Sequence, residues 1–492
     1  MQAKAKKAHF WLVMDVLGSQ GIPFVVFLVI ARIIGPDYYG EFTLAMACVG
    51  LMNVVIFQGI ADALIRVPDL DERHVSTAFW MNLALAFLTV LLAQVTADGL
   101  ATFFHAPDME GVIRWLSLLG PLQALISVQV VLSRRNLDTS ILARRTFLGR
   151  SIGGAAGIGL ALAGAGIWSL VVLQLLQALI SVWVLWRADP WRPRRVFDLA
   201  HARTLARFGS HFMGGSLITA LGACVDRLLV GFFFDPTTVG CYALAARLIE
   251  MARVLVLTPM RFMIMPVLSR LANPHEFSLS YDTMVRSALV VWMPVVLALG
   301  LNAAILPTVF GDKWQGSVVV LQAMSLAAFT MPVWAFVGES LSAVGRPDLY
   351  LRFAAGQVGI VAVCVVIGAQ FGLTGVGLAW SAGSACMVPL ALLTLRKVCG
   401  FDWEMQVATT TRIALAGLGF VACVLAVDHL AVARPWPALA STVLATGCGL
   451  CVYLALIEFV LVPGYVSRAL RDLKGIVLPD GRGAERAAGT SR

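Results

Sequence analysis

The sequence predicts an all-α polytopic membrane protein with about fourteen transmembrane helices, and three observations predict it. Of its 492 residues, 59% are hydrophobic and 13% are charged, with a mean hydropathy of +0.84, whereas about 25% of the residues in a soluble domain are charged. The apolar residues fall in runs of about twenty, the length needed to cross a bilayer. Lys and Arg concentrate in alternate loops, as expected when those loops face the cytoplasm.

Each predicted helix is an apolar run that ends at a polar or turn-forming segment. The first six are expected at 10–33, 41–64, 76–97, 111–133, 146–165 and 167–187. The next six are expected at 208–233, 239–264, 283–309, 316–343, 351–371 and 374–396. Two more follow at 407–430 and 437–462. With the N-terminus inside, nearly all basic loops lie on one side, so both termini are expected in the cytoplasm.

Two internal echoes indicate that the chain contains a duplication. Ile34–Ala45 resembles Phe234–Ala245 at a constant offset of 200, with Pro and Gly in the same order. Gly164–Leu170 resembles Gly372–Leu378 at an offset of 208. Internal repeats of this kind are typical of secondary transporters. Because each copy has an even number of spans, the sequence predicts two parallel-repeat six-helix lobes plus two extra helices.

The longest basic linker, Asp189–Asp198, falls where the repeat places the boundary between the lobes. The predicted division is therefore an N-terminal lobe at 1–198, a C-terminal lobe at 199–400, helices 13 and 14 at 401–465, and a cytoplasmic tail at 466–492.

Composition and motifs exclude several classes of protein. The net charge of +9 is explained by loop topology and lipid headgroups, so no nucleic-acid partner is expected. The chain has no Walker A or HExxH sequence, and its seven His have no metal-ligand spacing. No enzyme, cofactor or metal site is expected. A polysaccharide polymerase or ligase, the alternative from another class, should carry a large outer loop, and Ala97–Glu110 is the longest here.

Five charged residues lie deep in two predicted neighbouring helices: Asp226, Arg227, Arg247, Glu250 and Arg253. A charge at a membrane helix centre costs roughly 2.5–3.5 kcal/mol on insertion scales, so such residues usually face a bundle interior or a wet cavity. Two interpretations stay open: a set of ion pairs that joins the helices, or a surface that contacts a substrate or a coupling ion. The excess of Arg favours an anionic ligand, while Glu250 or Asp226 could instead carry a proton or cation.

Other polar residues in the predicted spans are weaker candidates for a functional role. Asp15 and Asp62 lie near cytoplasmic helix ends, where snorkelling reduces the cost of a charge, and are secondary candidates for gating carboxylates. Arg32, at the outer end of the first helix, is a candidate for a gate or an interface anchor. The in-span amides could bind sugar hydroxyls or join helices. They are Asn53, Gln58, Asn82, Gln123, Gln129, Gln174, Gln177 and Gln322.

Several ordered segments resemble the polysaccharide transporters of the MOP superfamily, which include the Wzx-type oligosaccharide-lipid flippases. The segments are Ala31–Phe42, Asp226–Gly231, Val239–Ala245, Met265–Arg270 and Phe310–Trp314. The resemblance covers nearly the whole chain to about residue 460. It implies a MOP/MATE-like fold of two six-helix lobes around a central cavity, in the bacterial inner membrane.

The resemblance also implies a function. A flippase of this family would move an undecaprenyl-diphosphate-linked sugar repeat unit to the periplasmic leaflet by alternating access, for O-antigen, capsule or exopolysaccharide synthesis. H⁺ or Na⁺ could drive it, and a polysaccharide polymerase and chain-length regulator are possible partners. Arg247, Arg253, Arg227 and Arg32 would meet the diphosphate, and Asn53, Gln58 and Gln123 the sugar. A lipid II flippase, a multidrug/cation antiporter and a scaffold for a synthase complex remain alternatives.

Overall fold

The computed structural model describes the backbone of residues 17–66, 71–135, 139–271, 273–432 and 438–461. It describes the side chains of these residues except 17, 55–66, 139, 205–213, 274, 431–432, 438–439 and 460–461. The predicted candidates Asp15, Asp62 and Gln58 fall outside the described side chains, as does the predicted tail at 466–492.

Regular structure within the described ranges is entirely helical, which confirms the predicted fold class. The first seven helices are α1 (Ile22–Ile33), α2 (Pro36–Arg66), α3 (Glu72–Phe103), α4 (Met109–Leu116), α5 (Leu119–Arg135), α6 (Thr139–Leu162) and α7 (Trp168–Ala188). The next seven are α8 (Leu199–Phe233), α9 (Pro236–Leu268), α10 (Pro274–Leu301), α11 (Leu306–Phe310), α12 (Gln315–Ala328), α13 (Met331–Ala335) and α14 (Val337–Ala343). The last four are α15 (Pro347–Ala369), α16 (Gly372–Cys399), α17 (Trp403–Val432) and α18 (Ala438–Leu456).

Ten helices in the described part of the chain are long and apolar enough to cross a membrane, and an eleventh is added if one bent pair counts as a single span. The chain is therefore a multi-pass membrane protein. The number fourteen stays a prediction, because α1 is shorter than a full span and because α2 and α6 are not among these ten helices.

The chain divides into two compact units. The first comprises Met1–Met251, Leu306–Met324 and Arg346–Met387, and the second comprises Ala252–Ile305, Ser325–Gly345 and Val388–Arg492. The predicted lobe division at 198 and 400 stays a prediction. All of the candidate site described below lies in the first unit.

Local sequence explains where several helices begin. Asp198 caps α8, since its Oδ1 accepts hydrogen bonds from the backbone N–H of Ala200 (2.8 Å) and His201 (3.4 Å). These bonds favour the ionised carboxylate and hold the pKa of Asp198 below its usual value. Asn273 caps α10 in the same way, accepting from His275 N at 3.0 Å, and Pro274 occupies the first turn, where its missing N–H removes no helical bond.

Two predicted spans are interrupted in the structure. The sequence predicts one helix over 111–133, but α4 ends at Leu116 and α5 begins at Leu119. It also predicts one helix over 316–343, but the part ending at Ala328 and the part beginning at Met331 are bent by 65°. Pro332 explains this bend, because its ring clashes with the carbonyl of the residue four positions earlier. That residue is Ala328, whose carbonyl instead accepts the indole N–H of buried Trp292 at 2.8 Å.

The segments that echo each other at an offset of 200 meet in the structure. Gly40 in α2 packs so closely on the first turn of α9 that a Cβ there would overlap the carbonyl oxygen of Pro236. Gly240 packs reciprocally on Pro36. The contact is symmetric in the repeat, as expected if the two helices derive from a duplication. The segments that echo each other at an offset of 208 share a backbone feature as well: Gly164 and Gly372 both have φ in the left-handed region, +81° and +71°.

Candidate functional site

A cavity of about 670 Å³ lies inside the first unit. Residues of α1, α2, α6, α7, α8 and α9 line it, so six helices contribute one face each. Its volume is in the range of sites that enclose a small ligand or the headgroup of a larger one. The wall is largely apolar and carries a small set of polar side chains.

Three arginines line the cavity: Arg150, Arg227 and Arg247. At 1.5 Å per residue, Arg150 and Arg247 lie about 16 Å from the first residues of α6 and α9, and Arg227 about 9 Å from the last residue of α8. All three are half-buried. Because guanidinium groups so far from the helix ends are costly in hydrocarbon, they indicate a wet, anion-attracting interior.

The remaining polar lining consists of neutral groups. Gln174 and Gln177 contribute amides from α7, Ser216 and Thr219 contribute hydroxyls from α8, and Thr43 contributes a hydroxyl from α2. The Thr43 hydroxyl donates to the carbonyl of Tyr39 at 2.7 Å and keeps an acceptor lone pair. Amides and hydroxyls suit sugars or phosphate esters.

Asp226 supports Arg227 from outside the cavity. The carboxylate of Asp226 is buried; its Oδ2 accepts the hydroxyl of fully buried Tyr242, and its Oδ1 accepts the backbone N–H of Arg227, each at 2.8 Å. The negative charges of Asp226 and Glu250 attract the positively charged guanidinium of Arg227. Asp226 therefore joins α8 to α9 and neutralises part of the charge at Arg227.

The three charged residues predicted in α9 do not lie at one common site in the structure. Arg247 lines the cavity, whereas Glu250, three residues on, and Arg253 do not. Both have partners, and Arg253 lies past the boundary of the first compact unit at Met251. Of the four arginines predicted to meet a diphosphate, the structure places Arg227 and Arg247 in the cavity.

Arg32 takes part in a hydrogen-bonded clasp near one end of the cavity. Its Nη1 donates to the carbonyl of Val309, at 2.5 Å, in α11. In the opposite direction, Lys313 Nζ donates to the carbonyl of Ile33 at 2.9 Å, and Trp314 Nε1 to that of Ala31 at 2.8 Å. The clasp thus joins the last turn of α1 to the segment 306–314. Arg32 is exposed and does not line the cavity.

Four aromatic rings pack under the clasp. Phe27 lies 6.0 Å from Tyr39 and 6.2 Å from Phe310, and Tyr39 lies 5.9 Å from Trp314, between ring centroids. Phe27 and Tyr39 also line the cavity. Two of the four rings therefore form part of the cavity wall where α1 ends and α2 begins.

The structure places the predicted sugar-binding amides apart from the cavity wall. Gln123 is exposed on α5, and Asn53 is half-buried on α2 with no hydrogen-bond partner at its Oδ1 in the part of the chain that is described. Neither lines the cavity, whereas Gln174 and Gln177 from the wider set of in-span amides do.

Sequence reasoning missed Arg150. The predicted span began at 146, which put Arg150 near a helix end, but α6 begins at Thr139 and carries Arg150 deep into the bundle. Next to Arg150 the helix packs closely on its neighbour: a Cβ on Gly153 would lie 2.9 Å from the carbonyl oxygen of Leu173 in α7. Arg150 donates across the bundle to the carbonyl of Ser19. The sequence offered one indication of this position: Arg150 lies between Gly149 and Gly153, and glycines four residues apart are typical of helices that pack closely on a neighbour.

The family model described as "Polysaccharide biosynthesis protein" matches residues 29–319, more than half of the chain. The chain belongs to this polysaccharide biosynthesis family. The match includes most of the helices that line the cavity and the clasp segment 306–314. It confirms the resemblance to polysaccharide transporters of the MOP superfamily.

Two curated relatives align with most of the length of this chain. The succinoglycan biosynthesis transport protein ExoT of Rhizobium meliloti (strain 1021) is 26% identical over 405 residues, 82% of this chain and 80% of the relative. The lipopolysaccharide biosynthesis protein WzxC of Escherichia coli (strain K12) is 23% identical over 374 residues, 71% of this chain and 72% of the relative.

Solved structures confirm the transporter fold of this family member. An inward closed conformation of the lipid II flippase MurJ has a TM-score of 0.73, with 12% identity, and covers 91% of this chain and 96% of its own. An inward-facing MATE-family multidrug resistance transporter of the MOP superfamily has a TM-score of 0.61, with 14% identity, and covers 78% and 94%.

Proposed function

We propose that this chain is a flippase that moves undecaprenyl-diphosphate-linked oligosaccharide repeat units from the cytoplasmic to the periplasmic leaflet of the bacterial inner membrane. It works by alternating access and supplies O-antigen, capsule or exopolysaccharide synthesis. The observation that carries the proposal is the cavity in the first unit, where Arg150, Arg227 and Arg247 meet among apolar and amide side chains.

The chemistry of the cavity suits this substrate. A guanidinium offers a fork of donors that fits phosphate oxygens, and several arginines together match the charge of a diphosphate. Gln174, Gln177 and the nearby hydroxyls would bind the first sugars, while the polyprenyl tail stays in lipid. Arg253 and Arg32, which do not line the cavity, would act before or after the central binding step.

The names of the relatives support this class of substrate, since ExoT is named a transport protein of succinoglycan biosynthesis and WzxC a protein of lipopolysaccharide biosynthesis. Both termini are proposed to be cytoplasmic on the basis of the loop charges. A polysaccharide polymerase and a chain-length regulator would take up the flipped units.

The driving force is proposed to be an ion gradient, with H⁺ or Na⁺ as the coupled ion and Glu250 or Asp226 as coupling or gating carboxylates. Of the two, Asp226 accepts hydrogen bonds from the Tyr242 hydroxyl and from the Arg227 backbone N–H.

A lipid II flippase is the nearest alternative, because its headgroup also begins with a diphosphate. A multidrug/cation antiporter fits less well. Carriers of cations use uncompensated carboxylates and aromatic faces, but the described lining residues include three arginines and neither Asp nor Glu.

The test is the leaflet in which labelled lipid-linked repeat units accumulate in cells that lack this protein. We expect accumulation in the cytoplasmic leaflet, cured by the wild type and not by Arg247→Ala, because the cavity then loses a cation that meets the diphosphate. Arg396→Ala, an exposed cation at the end of α16, is the matched control and should restore transport.

Membrane levels of each variant have to match the wild type, which removes poor insertion as an explanation. Repeat units that reach the periplasmic leaflet without this protein and stay unpolymerised would contradict the flippase and favour a role in polymer assembly.

A further inference from the structure

The segment between α7 and α8 carries a dense set of cations that the transport proposal does not use. Between residues 187 and 203 there are five arginines and two aspartates. The arginines are Arg187, Arg192, Arg194, Arg195 and Arg203, and all five are exposed. We call residues 187–203 the arginine strap.

The middle of the strap is bound to α3. The backbone N–H of Arg194 donates to the hydroxyl of Ser76 at 3.2 Å, and the indole N–H of Trp80 donates to the carbonyl of Arg194 at 2.8 Å. Further along, the backbone N–H of Asp198 donates to the hydroxyl of Thr77 at 3.1 Å. The strap therefore has a fixed path over the first turns of α3 and is not a loose linker.

The start of the strap is fixed by its own arginines. Arg192 donates to the carbonyls of Trp186 and Asp189, each at 2.6 Å, and lies 5.1 Å from the centroid of the Trp186 ring. Arg187 lies 4.7 Å above the ring of Trp183 in the last turns of α7. Stacking and hydrogen bonding hold these guanidinium groups in place before any ligand arrives.

Exposed apolar side chains lie beside the cations. Trp183, Phe197 and Leu199 are 54%, 55% and 62% exposed. Trp183 lies in the last turns of the membrane helix α7, and Phe197 precedes Asp198, which is bound to the start of the membrane helix α3. These two side chains therefore lie at the ends of membrane helices, near the boundary between hydrocarbon and headgroups. Cations mixed with Trp and Phe at this level are typical of segments that contact lipid headgroups and the upper acyl chains.

We propose that the arginine strap is a binding surface for the phosphate headgroups of anionic phospholipids. Arg187 and Arg195 would bind the phosphates, and Trp183 and Phe197 would contact the upper acyl chains. An acidic protein partner would also suit the charge, but it would have to enter the headgroup layer to reach Trp183 in α7. The lipid is therefore the occupant that both the charge and the membrane level favour.

The test measures binding of phosphatidylglycerol and phosphatidylcholine to the purified full-length protein in detergent. The wild type should bind phosphatidylglycerol more tightly, and added salt should weaken that binding. The double variant Arg187→Gln/Arg195→Gln should lose about fivefold in affinity for each arginine removed. The matched control, Arg396→Gln/Lys397→Gln, removes two exposed cations from the last turn of α16 and should bind as the wild type does.

A further variant tests the fixed path. Ser76→Ala removes one bond that pins the strap and leaves all five arginines, so it should weaken phosphatidylglycerol binding at unchanged net charge. Equal binding of the two lipids by the wild type, or an equal loss in the two double variants, would overturn the proposal. Unchanged binding by Ser76→Ala would overturn the fixed path. Melting temperatures identify any misfolded variant, and the assay needs no transported substrate, so it is independent of the flippase proposal.

Discussion

Asp226 and Glu41 are both buried carboxylates in the first unit, and their surroundings differ. Asp226 accepts two hydrogen bonds and lies beside Arg227. Glu41 is 9% exposed, and its Oε2 has no hydrogen-bond partner among the described residues. The charged groups that act on Glu41 are Asp108 and Asp37, which are acidic as well. Within the part of the chain that is described, charged or donor groups therefore stabilise the anionic form of Asp226 but not that of Glu41.

Asp226→Ala should lower stability more than Tyr242→Phe does. Removal of the carboxylate leaves a fully buried hydroxyl unpaired and reduces the compensation of Arg227, and such losses cost about 1–3 kcal/mol. Tyr242→Phe removes only the donor. Melting temperatures of the single and double variants in detergent form a double-mutant cycle. Additive effects would contradict a direct bond between the two side chains.

Glu41→Gln should leave the melting temperature unchanged or raise it. A buried carboxylate with acidic neighbours is costly in its charged form, and the amide has nearly the same shape without the charge. Asp98→Asn is the control, since Asp98 is exposed and its charge is solvated. A clear drop in the melting temperature for Glu41→Gln alone would mean that Glu41 has a cationic partner outside the described residues.

The sequence predicted part of the site at this scale. Arg227 and Arg247 were found because a charge inside a long apolar run is conspicuous. Arg150 was missed because the apolar pattern misplaced the start of α6. The amides Gln174 and Gln177 could not be distinguished from Gln123, because the sequence does not show which face of each helix lines the cavity. The presence of a membrane helix is readable from hydropathy, but its exact ends and the facing of a polar residue within a nearly uniform apolar helix are not.

At the scale of elements, the contact of α2 with α9 depends on two glycines. Gly40 and Gly240 each lie against the backbone of the other helix. The sequence predicted the repeat but not this contact, because an echo between two segments does not say that they touch. It also predicted α12–α14 as one helix although Pro332 was visible, since proline occurs in continuous membrane helices as well, as Pro259 and Pro266 do in α9.

Gly40→Ala and Gly240→Ala should each destabilise the protein by about 1–3 kcal/mol, because the added methyl overlaps a carbonyl that a helix cannot easily move. Gly99→Ala in α3 is the control. No atom lies within 4 Å of the Cβ it would add, so the gain in helix propensity should stabilise it by up to about 1 kcal/mol. Thermal unfolding in detergent measures all three. The same sign for all three would contradict the close contact.

At the scale of the whole molecule, alternating access requires that the binding cavity open to one side at a time. The clasp between α1 and 306–314 and the four aromatic rings beside it lie where α1 ends, at one end of the cavity. The loop charges predict that this end is periplasmic. We therefore infer that the structure corresponds to a state in which the periplasmic path from the cavity is shut. Hydropathy and charge predict a topology, but no sequence pattern marks which state is the more stable.

Weakening the clasp should open the cavity toward the periplasm. Trp314→Phe removes the donor to Ala31 and keeps a ring, and Lys313→Met removes the donor to Ile33. A net hydrogen bond contributes about 0.5–1.5 kcal/mol, so each change should shift the equilibrium toward the open state by up to about tenfold. Thr219, which lines the cavity, offers a reporter. In a variant without the nine native cysteines, Thr219→Cys should react faster with a membrane-impermeant thiol reagent applied from the periplasm once the clasp is weakened.

The control is Lys397→Met, which removes an exposed cation at the end of α16 and should leave the reaction rate at the starting level. A rate that does not rise in Trp314→Phe/Lys313→Met would mean that the aromatic rings alone keep the cavity closed, so that the clasp only fixes α1. A rise in the rate with cytoplasmic but not periplasmic reagent would contradict the assignment of this end to the periplasm and, with it, the orientation taken from the loop charges. The two results differ because the first concerns the strength of the clasp and the second the side of the membrane on which it lies.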